Sequence, residues 1–142
     1  MANPKEIRDN IINLLTLADP KNGSGVSIRK WFKGQPPPSR YPGFPWGWVE
    51  WAGGPMEAPV GSKAEIKDKF YVVVMDKHID AEYAENSIME FANSVEAALD
   101  DSPTLYGSVA RSFVINREKE KQFQRDYSMI AIRLTLTTFR RE

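Results

Sequence analysis

Two stretches of the chain place apolar residues at helical spacing. In residues 3–18 the apolar positions recur every three or four residues, and they are Ile7, Ile11, Leu14, Leu15 and Ala18. Asn3 is a candidate N-cap, and Pro4 suits the first helical position. A second stripe follows the candidate N-cap Asp80 and consists of Ala84, Ile88, Phe91, Ala92, Val95, Ala98 and Leu99. The pattern predicts two helices, over residues 3–18 and 81–100, each with one buried face.

Other apolar runs have the period of two that is typical of strands. They predict strands over residues 26–32, 46–52, 63–75, 108–116 and 127–140. The run FYVVVM at 70–75 is apolar in both alternating sets, which predicts a central strand covered on both faces. In the last strand one face carries Ile130, Ile132, Leu134 and Leu136.

This order of elements predicts the α+β class. We expect a single domain over residues 1–142, with a mostly antiparallel, twisted β-sheet and two α-helices packed on one face. The last two strands form a long projecting hairpin, because the charged run 117–126 predicts strand extensions and a mobile tip. Three consecutive prolines at 36–38 cannot join a sheet ladder, so residues 33–45 are predicted to be an extended, proline-rich connector, with Trp31 before it and Trp46 after it.

The stretch YPGFPWGWVEWAGGP, residues 41–55, contains three of the four tryptophans. On a strand, Trp46, Trp48 and Glu50 share one face, and Trp51 lies on the other. Trp48 and Trp51 therefore cannot form a single flat platform. We expect one of them to lie under a helix in the core and the other to meet a neighbouring subunit, another layer or solvent.

Composition excludes several classes of protein. The chain has 19 basic and 19 acidic residues, so its total charge requires neither nucleic acid nor an anionic membrane as partner. The absence of cysteine removes disulfides, thiolate nucleophiles and zinc–thiolate sites. The longest wholly apolar run is four residues, 72–75, so we expect a soluble protein that neither spans a membrane nor carries a signal peptide.

Candidate chemistry is sparse. The single histidine, His78, would share a face with Asp76 and Asp80 on an extended backbone, a spacing that could hold a divalent metal. The three residues are better interpreted as ordinary turn residues beside a helix cap. There is no G-x-S-x-G motif and no evident serine partner for His78. We expect no catalysis, no cofactor and no resident metal.

Two binding functions compete with a structural role. Arg29, Lys30, Lys33 and Arg40 interleave with aromatic residues, a mixture that can stack bases, but the zero net charge argues against nucleic acid. Alternatively, Trp46 and Trp48 could form an aromatic surface that stacks on carbohydrate or binds a peptide. Tryptophans buried in a core could not do so.

Charge segregation indicates a subunit that works by assembly. The charges of residues 80–101 are all acidic, whereas residues 102–142 hold eight basic and four acidic residues. A chain polarised in this way suits heterologous contacts that close into a ring. The alternative is a monomer whose charges happen to segregate.

The chain also resembles a known family. The resemblance starts from an N-terminal helix, R-Y-P at 40–42 and an aromatic strand with V-E-W at 49–51. It continues through V-G-S-K at 60–63, the F-Y-V-V-V strand, an acidic helix and a closing hairpin with I-A-I-R-L-T-L. In this order of elements the chain is similar to the tail terminator proteins of long-tailed bacteriophages, also called tail completion or head–tail joining proteins.

The resemblance implies a structural virion protein. Such proteins form a ring, usually a hexamer, that sits on the last ring of the tail tube, ends its polymerisation and offers a docking surface for the head connector. The implied partners are further copies of the chain, the major tail tube protein and the connector or neck proteins, with DNA only passing through the lumen. The implied location is the tail or neck of the virion, after assembly in the host cytoplasm.

The resemblance assigns contacts to regions, not to invariant residues. On this sequence the regions are the loop at 53–62 and the hairpin tip at 117–126, chosen because they are predicted to be exposed. The candidate interface residues are Trp48, Trp51, Met56, Glu57, Arg117, Glu118, Lys119, Lys121, Phe123 and Arg125.

Overall fold

The computed structural model describes residues 3–40, 42–54, 65–124 and 127–141. In chain order the elements are α1 (Pro4–Ala18), β1 (Trp31–Lys33), β2 (Trp46–Gly53), β3 (Glu65–His78), α2 (Ala81–Asp100), β4 (Arg111–Gln124) and β5 (Tyr127–Arg141). A short 3-10 turn, Pro38–Arg40, lies within the proline-rich connector. The predicted helices and strands are all present, although the first strand is shorter than predicted.

The five strands form one sheet in the order β1-β2-β3-β5-β4. β1 and β2 are parallel and every other neighbouring pair is antiparallel, so the predicted α+β class is confirmed. The β4–β5 hairpin is as long as predicted and belongs to the sheet. β5 pairs with β3 from Glu65–Arg141 to His78–Ser128, so the hairpin runs alongside β3 and does not project from the body as predicted.

Both predicted helix starts carry the expected caps. The Asn3 side chain accepts a hydrogen bond from the Glu6 backbone N–H at 2.9 Å. The Asp80 side chain accepts one from the Glu82 backbone N–H at 3.0 Å. Each cap satisfies an amide that has no partner within its helix, which fixes where the helix begins.

The core has two parts, one on each side of the sheet. On the helix side, α1 packs on β1 and β2, and α2 packs on β3 and β5. Fully buried examples are Ile11, Phe91, Phe70 and Leu134. On the opposite side, here called the far side, the buried cluster consists of Trp46, Trp48, Val73, Met75, Met129 and Ala131. The prediction that the FYVVVM strand is covered on both faces is confirmed.

The tryptophans of β2 are distributed differently from the prediction. Trp48 is 7% exposed and lies on the far side, with its ring centroid 5.4 Å from that of Trp46. Trp51 faces the other way but is 51% exposed. The expectation that one of them lies under a helix is therefore wrong. The smaller Val49 takes the helix-side position, because α1 packs too closely on β2 to leave room for an indole ring.

Candidate interaction surfaces

Strands β2 and β3 are joined at one end of the sheet, and β4 and β5 at the other. The β2–β3 connection follows Gly54 and ends at Glu65, whereas β4 and β5 meet at Gln124 and Tyr127, beside His78 at the other end of β3. At about 3.3 Å per residue, the 14-residue β3 separates these ends by about 43 Å. The predicted region 117–126 begins in the middle of the sheet, because Arg117 pairs with Leu134 and Leu134 with Val72. The candidate residues Met56, Glu57 and Arg125 lie outside the described residues.

The candidate residues on the helix side of β4 contact α2. Arg117 donates to the Asn93 side-chain oxygen at 2.9 Å and forms an ion pair with Glu96. Lys119 lies 2.9 Å from a carboxylate oxygen of Glu85. The acidic surface of α2 thus meets basic residues of its own chain, and both pairs are partly exposed. The side chains of Lys121 and Phe123 are outside the described part of the structure.

On the far side, Glu118 pairs with Arg133, whose guanidinium lies 4.4 Å from the centre of the Tyr71 ring. Beside this pair is a cavity of about 130 Å³, lined by Gln35, Trp48, Glu50, Val73, Glu120, Ala131 and Arg133. Gln35 follows β1 at one edge of the sheet and Glu120 belongs to β4 at the other edge. Because both reach one small cavity, the far side of the sheet is concave. The cavity holds carboxylates, a guanidinium and an apolar wall, without a nucleophile–base pair.

A buried ion pair lies at the end of the sheet where the β2–β3 connection departs. The Asp68 carboxylate accepts a hydrogen bond from Trp51 Nε1 at 3.1 Å and one from Arg140 Nε at 3.0 Å. The Asp68 side chain is 3% exposed. Sequence reasoning missed this cluster, although Asp68 between Ile66 and Phe70 is an acid at an inward position of the alternation, which is a usable signal.

The proposed metal residues have three separate structural tasks. Asp76 is buried and accepts a hydrogen bond from Ser87 Oγ at 2.6 Å. His78 Nδ1 accepts one from the Asp80 backbone N–H at 3.0 Å, and Asp80 caps α2. Within the described ranges no three metal-ligating side chains converge. The arrangement supports their interpretation as turn and cap residues.

The structure does not form either of the two alternative binding surfaces, the aromatic platform for carbohydrate or peptide and the basic surface for nucleic acid. Trp46 is fully buried and Trp48 nearly so, so they cannot offer the flat platform that stacking on a sugar requires. In the 29–33 segment, Arg29 donates to the Phe44 carbonyl at 2.9 Å and Lys33 lies 3.5 Å from Asp9. Trp31 packs on the helix side. Lys30 lies 4.8 Å from the centre of the Phe32 ring, on the side of the sheet opposite Trp31, so the two aromatic rings of this segment do not form one stacking surface.

Asp19, which ends α1, is held in a local turn. A hydrogen bond from Lys21 Nζ, at 2.8 Å, and a second one from Ser27 lower the pKa of the Asp19 carboxyl. The group is fully exposed, so this contact organises the turn without defining a chemical site. Among the residues described, neither helix combines the length and the apolar character that a membrane-spanning helix needs.

The chain is thus an α+β protein in which the described candidate contacts Trp48, Arg117, Glu118 and Lys119 lie along the middle of one sheet. No family model and no curated protein matches it. Among solved structures, it is similar to a chain of the virion of a native gene transfer agent particle, with 11% sequence identity and a TM-score of 0.39. That match covers 91% of this chain and 84% of the other. At this level of similarity the function has to be inferred from the chain's own residues.

Proposed function

We propose that this chain is a structural virion protein of the tail terminator type. It forms a ring, expected to be a hexamer, that caps the tail tube, ends tube polymerisation and presents a docking surface for the head connector. The observation that carries this proposal is that β2 and β3 are joined at one end of the sheet and β4 and β5 at the other, about 43 Å away along β3. A subunit that meets a tube on one side and a connector on the other needs contacts at both ends.

Exposed apolar side chains support this placement. Trp51 is 51% exposed at the end where the β2–β3 connection departs, and Ile79 is 84% exposed beside the hairpin turn at the other end. Large apolar side chains that stay in water are frequent at contact surfaces. The order of elements, which resembles that of tail terminators, supports the same function.

The proposal names its partners. They are further copies of the chain around the ring, the major tail tube protein at one end and the connector or neck proteins at the other. DNA passes through the lumen without being a ligand, and neither a cofactor nor catalysis is involved. The protein then resides in the tail or neck of the virion.

Size-exclusion chromatography with light scattering, followed by negative-stain electron microscopy, tests the ring. We expect a six-membered ring with a central hole, either in solution or on the end of purified tail tubes. Addition of the protein to growing tubes should stop their elongation. A chain that stays monomeric in solution and on tubes, and leaves tube growth unchanged, would overturn the proposal.

A further inference from the structure

The two edges of the sheet differ in their capacity to pair with another strand. β1 at one edge has three residues and is followed by Gly34 and the prolines at 36–38, which lack the N–H group that a ladder needs. β4 at the other edge has 14 residues, and within the described chain β5 is its only neighbour. A long open edge normally invites pairing with another chain.

The sequence of β4 carries an ordered pattern of charges that disfavours such pairing with another chain. A bulge between Val114 and Asn116 separates a short first part from a longer second part, which begins with alternating charges. Arg117 and Lys119 pair with Leu134 and Ile132, so they lie on the helix side. Their neighbours in the sequence lie on the far side, where Glu118 pairs with Arg133 and Glu120 with Ala131. From Arg117 to Glu120 each side of the strand therefore carries charges of one sign.

We propose that this pattern closes the β4 edge to a second copy of the chain. Two copies joined through β4 about a twofold axis are antiparallel, and their helices lie on the same side of the joined sheet. Directly opposed residues then come from the same side, so a cation faces a cation and an acid faces an acid. With Lys119 on the axis, for example, Glu118 of one copy faces Glu120 of the other. This inference does not rest on the proposed function.

Among the four charged residues from Arg117 to Glu120, Glu120 contributes most of the repulsion between two copies joined through β4. Arg117 and Lys119 are already paired with carboxylates of α2, and Glu118 is paired with Arg133. Glu120 is exposed, and the guanidinium that lines the same cavity, that of Arg133, is paired with Glu118. Its charge is therefore the least compensated of the four and the one that most disfavours a joined sheet.

Substitution of Glu120 tests the proposal. Glu120→Thr removes the repulsion, and Glu120→Lys replaces it by attraction to Glu118 of the second copy. Asp100→Thr and Asp100→Lys are matched controls, because Asp100 is exposed at the end of α2 and the charge changes are the same. Sedimentation measures association, and hydrogen exchange of the β4 amides shows whether this edge is the contact.

We expect both Glu120 variants to associate with a dissociation constant at least tenfold lower than that of the wild type or of the controls. Their outward β4 amides should become protected as concentration rises. The proposal fails if these amides already gain concentration-dependent protection in the wild type, or if the Glu120 variants associate no more than the controls. A wild-type ring with unprotected β4 amides would support both proposals, and a wild-type monomer with unprotected amides would support this one alone.

Discussion

At the scale of single residues, Gly47 shows how β1 is held against β2. A Cβ atom at this position would lie 2.6 Å from Trp31 Cζ3 and 2.6 Å from the carbonyl oxygen of Val73. The Trp31 ring therefore occupies the space that a side chain on β2 would take. Because one of the contacts is backbone in the middle of the sheet, it cannot move aside without breaking the register.

Gly47→Ala should accordingly lower the free energy of unfolding by about 2 kcal/mol or more, through overpacking. Gly43→Ala is the matched control, because a Cβ atom there would be 3.4 Å from the Arg29 side chain, an ordinary contact. We expect the control to stay within about 0.5 kcal/mol of the wild type. Urea denaturation measures both free energies of unfolding. Equal stability of the two variants would show that the Trp31 ring moves aside without a loss of stability.

The buried Asp68–Arg140 pair is the second residue-scale test. Asp68→Asn keeps an acceptor for Trp51 Nε1 but leaves the Arg140 guanidinium, 13% exposed, without its buried counter-charge. Loss of one partner of a buried pair is expected to cost about 3 kcal/mol. Thermal and urea unfolding measure the loss, and Asp101→Asn, on the surface, is the control.

A double variant separates the charge from the packing. Asp68→Asn combined with Arg140→Met removes both charges and should recover part of the stability lost in the single variant, because no buried charge is then uncompensated. If the double variant is less stable than the sum of the two single changes predicts, the loss is due to packing and the ion pair is not its cause.

At the scale of elements, a hydrogen-bonded chain of three polar side chains docks α2 on β3. Asn22 Nδ2 donates to Ser87 Oγ at 2.9 Å, and Ser87 Oγ donates to Asp76 at 2.6 Å. All three residues are buried, and the Ser87 hydroxyl is the group that links the other two.

Ser87→Ala should destabilise the protein by about 1–3 kcal/mol, because it leaves a buried carboxylate oxygen and a buried amide without a partner. Ser94→Ala, on the same helix, is the control; its hydroxyl accepts only a long 3.3 Å bond from the exposed Lys21 N–H. The loss is measured by urea denaturation. A smaller loss for Ser87→Ala than for the control would mean that water replaces the hydroxyl.

The sequence predicts the elements well because each depends on neighbours a few residues away. The stripe from Ile7 to Leu15 and the caps at Asn3 and Asp80 are local, and the structure places α1 and α2 accordingly. The alternation in 127–140 likewise predicts a strand and its two faces. It does not predict which strands lie on either side, so the position of β5 between β3 and β4 could not be obtained from it.

The unpredicted parts all join residues far apart in the sequence. Asp68 meets Arg140 across 72 positions, and alternation alone does not show which cation an inward carboxylate will find. The pairing of Arg117 with Glu96 likewise depends on which face of α2 lies above β4. The orientation of Trp48 followed from the pattern, but its burial did not, because the curvature of the far side comes from packing of the whole sheet.

At the scale of the whole molecule, the proposed function predicts two separable defects. Met56→Glu alters the sequence of the β2–β3 connection, and Ile79→Asp alters the exposed surface beside the end of β3 at His78. If one end meets the tube and the other the connector, one variant should give tails of uncontrolled length and the other should give tails of normal length without heads. Electron microscopy of assembled particles distinguishes them.

Met89→Asp serves as the control for an added surface charge, because Met89 is half-exposed on α2, away from the two strand ends. It should leave tail length and head attachment unchanged. If Met56→Glu and Ile79→Asp give the same defect, the two ends do not have different partners, and the assignment of one partner to each end is wrong.

The position of β5 also bears on how the chain is made. β5 supplies the inner neighbour of both β3 and β4 and contributes the buried Leu134 and Leu136 to the core. During synthesis it follows every other element, so until residues 127–141 have emerged from the ribosome, β3 lacks its longest partner and β4 has none. A chain interrupted before β5 therefore keeps β3 with one unpaired edge and β4 without a partner strand, and the core residues that β5 would cover are exposed to proteolysis and aggregation.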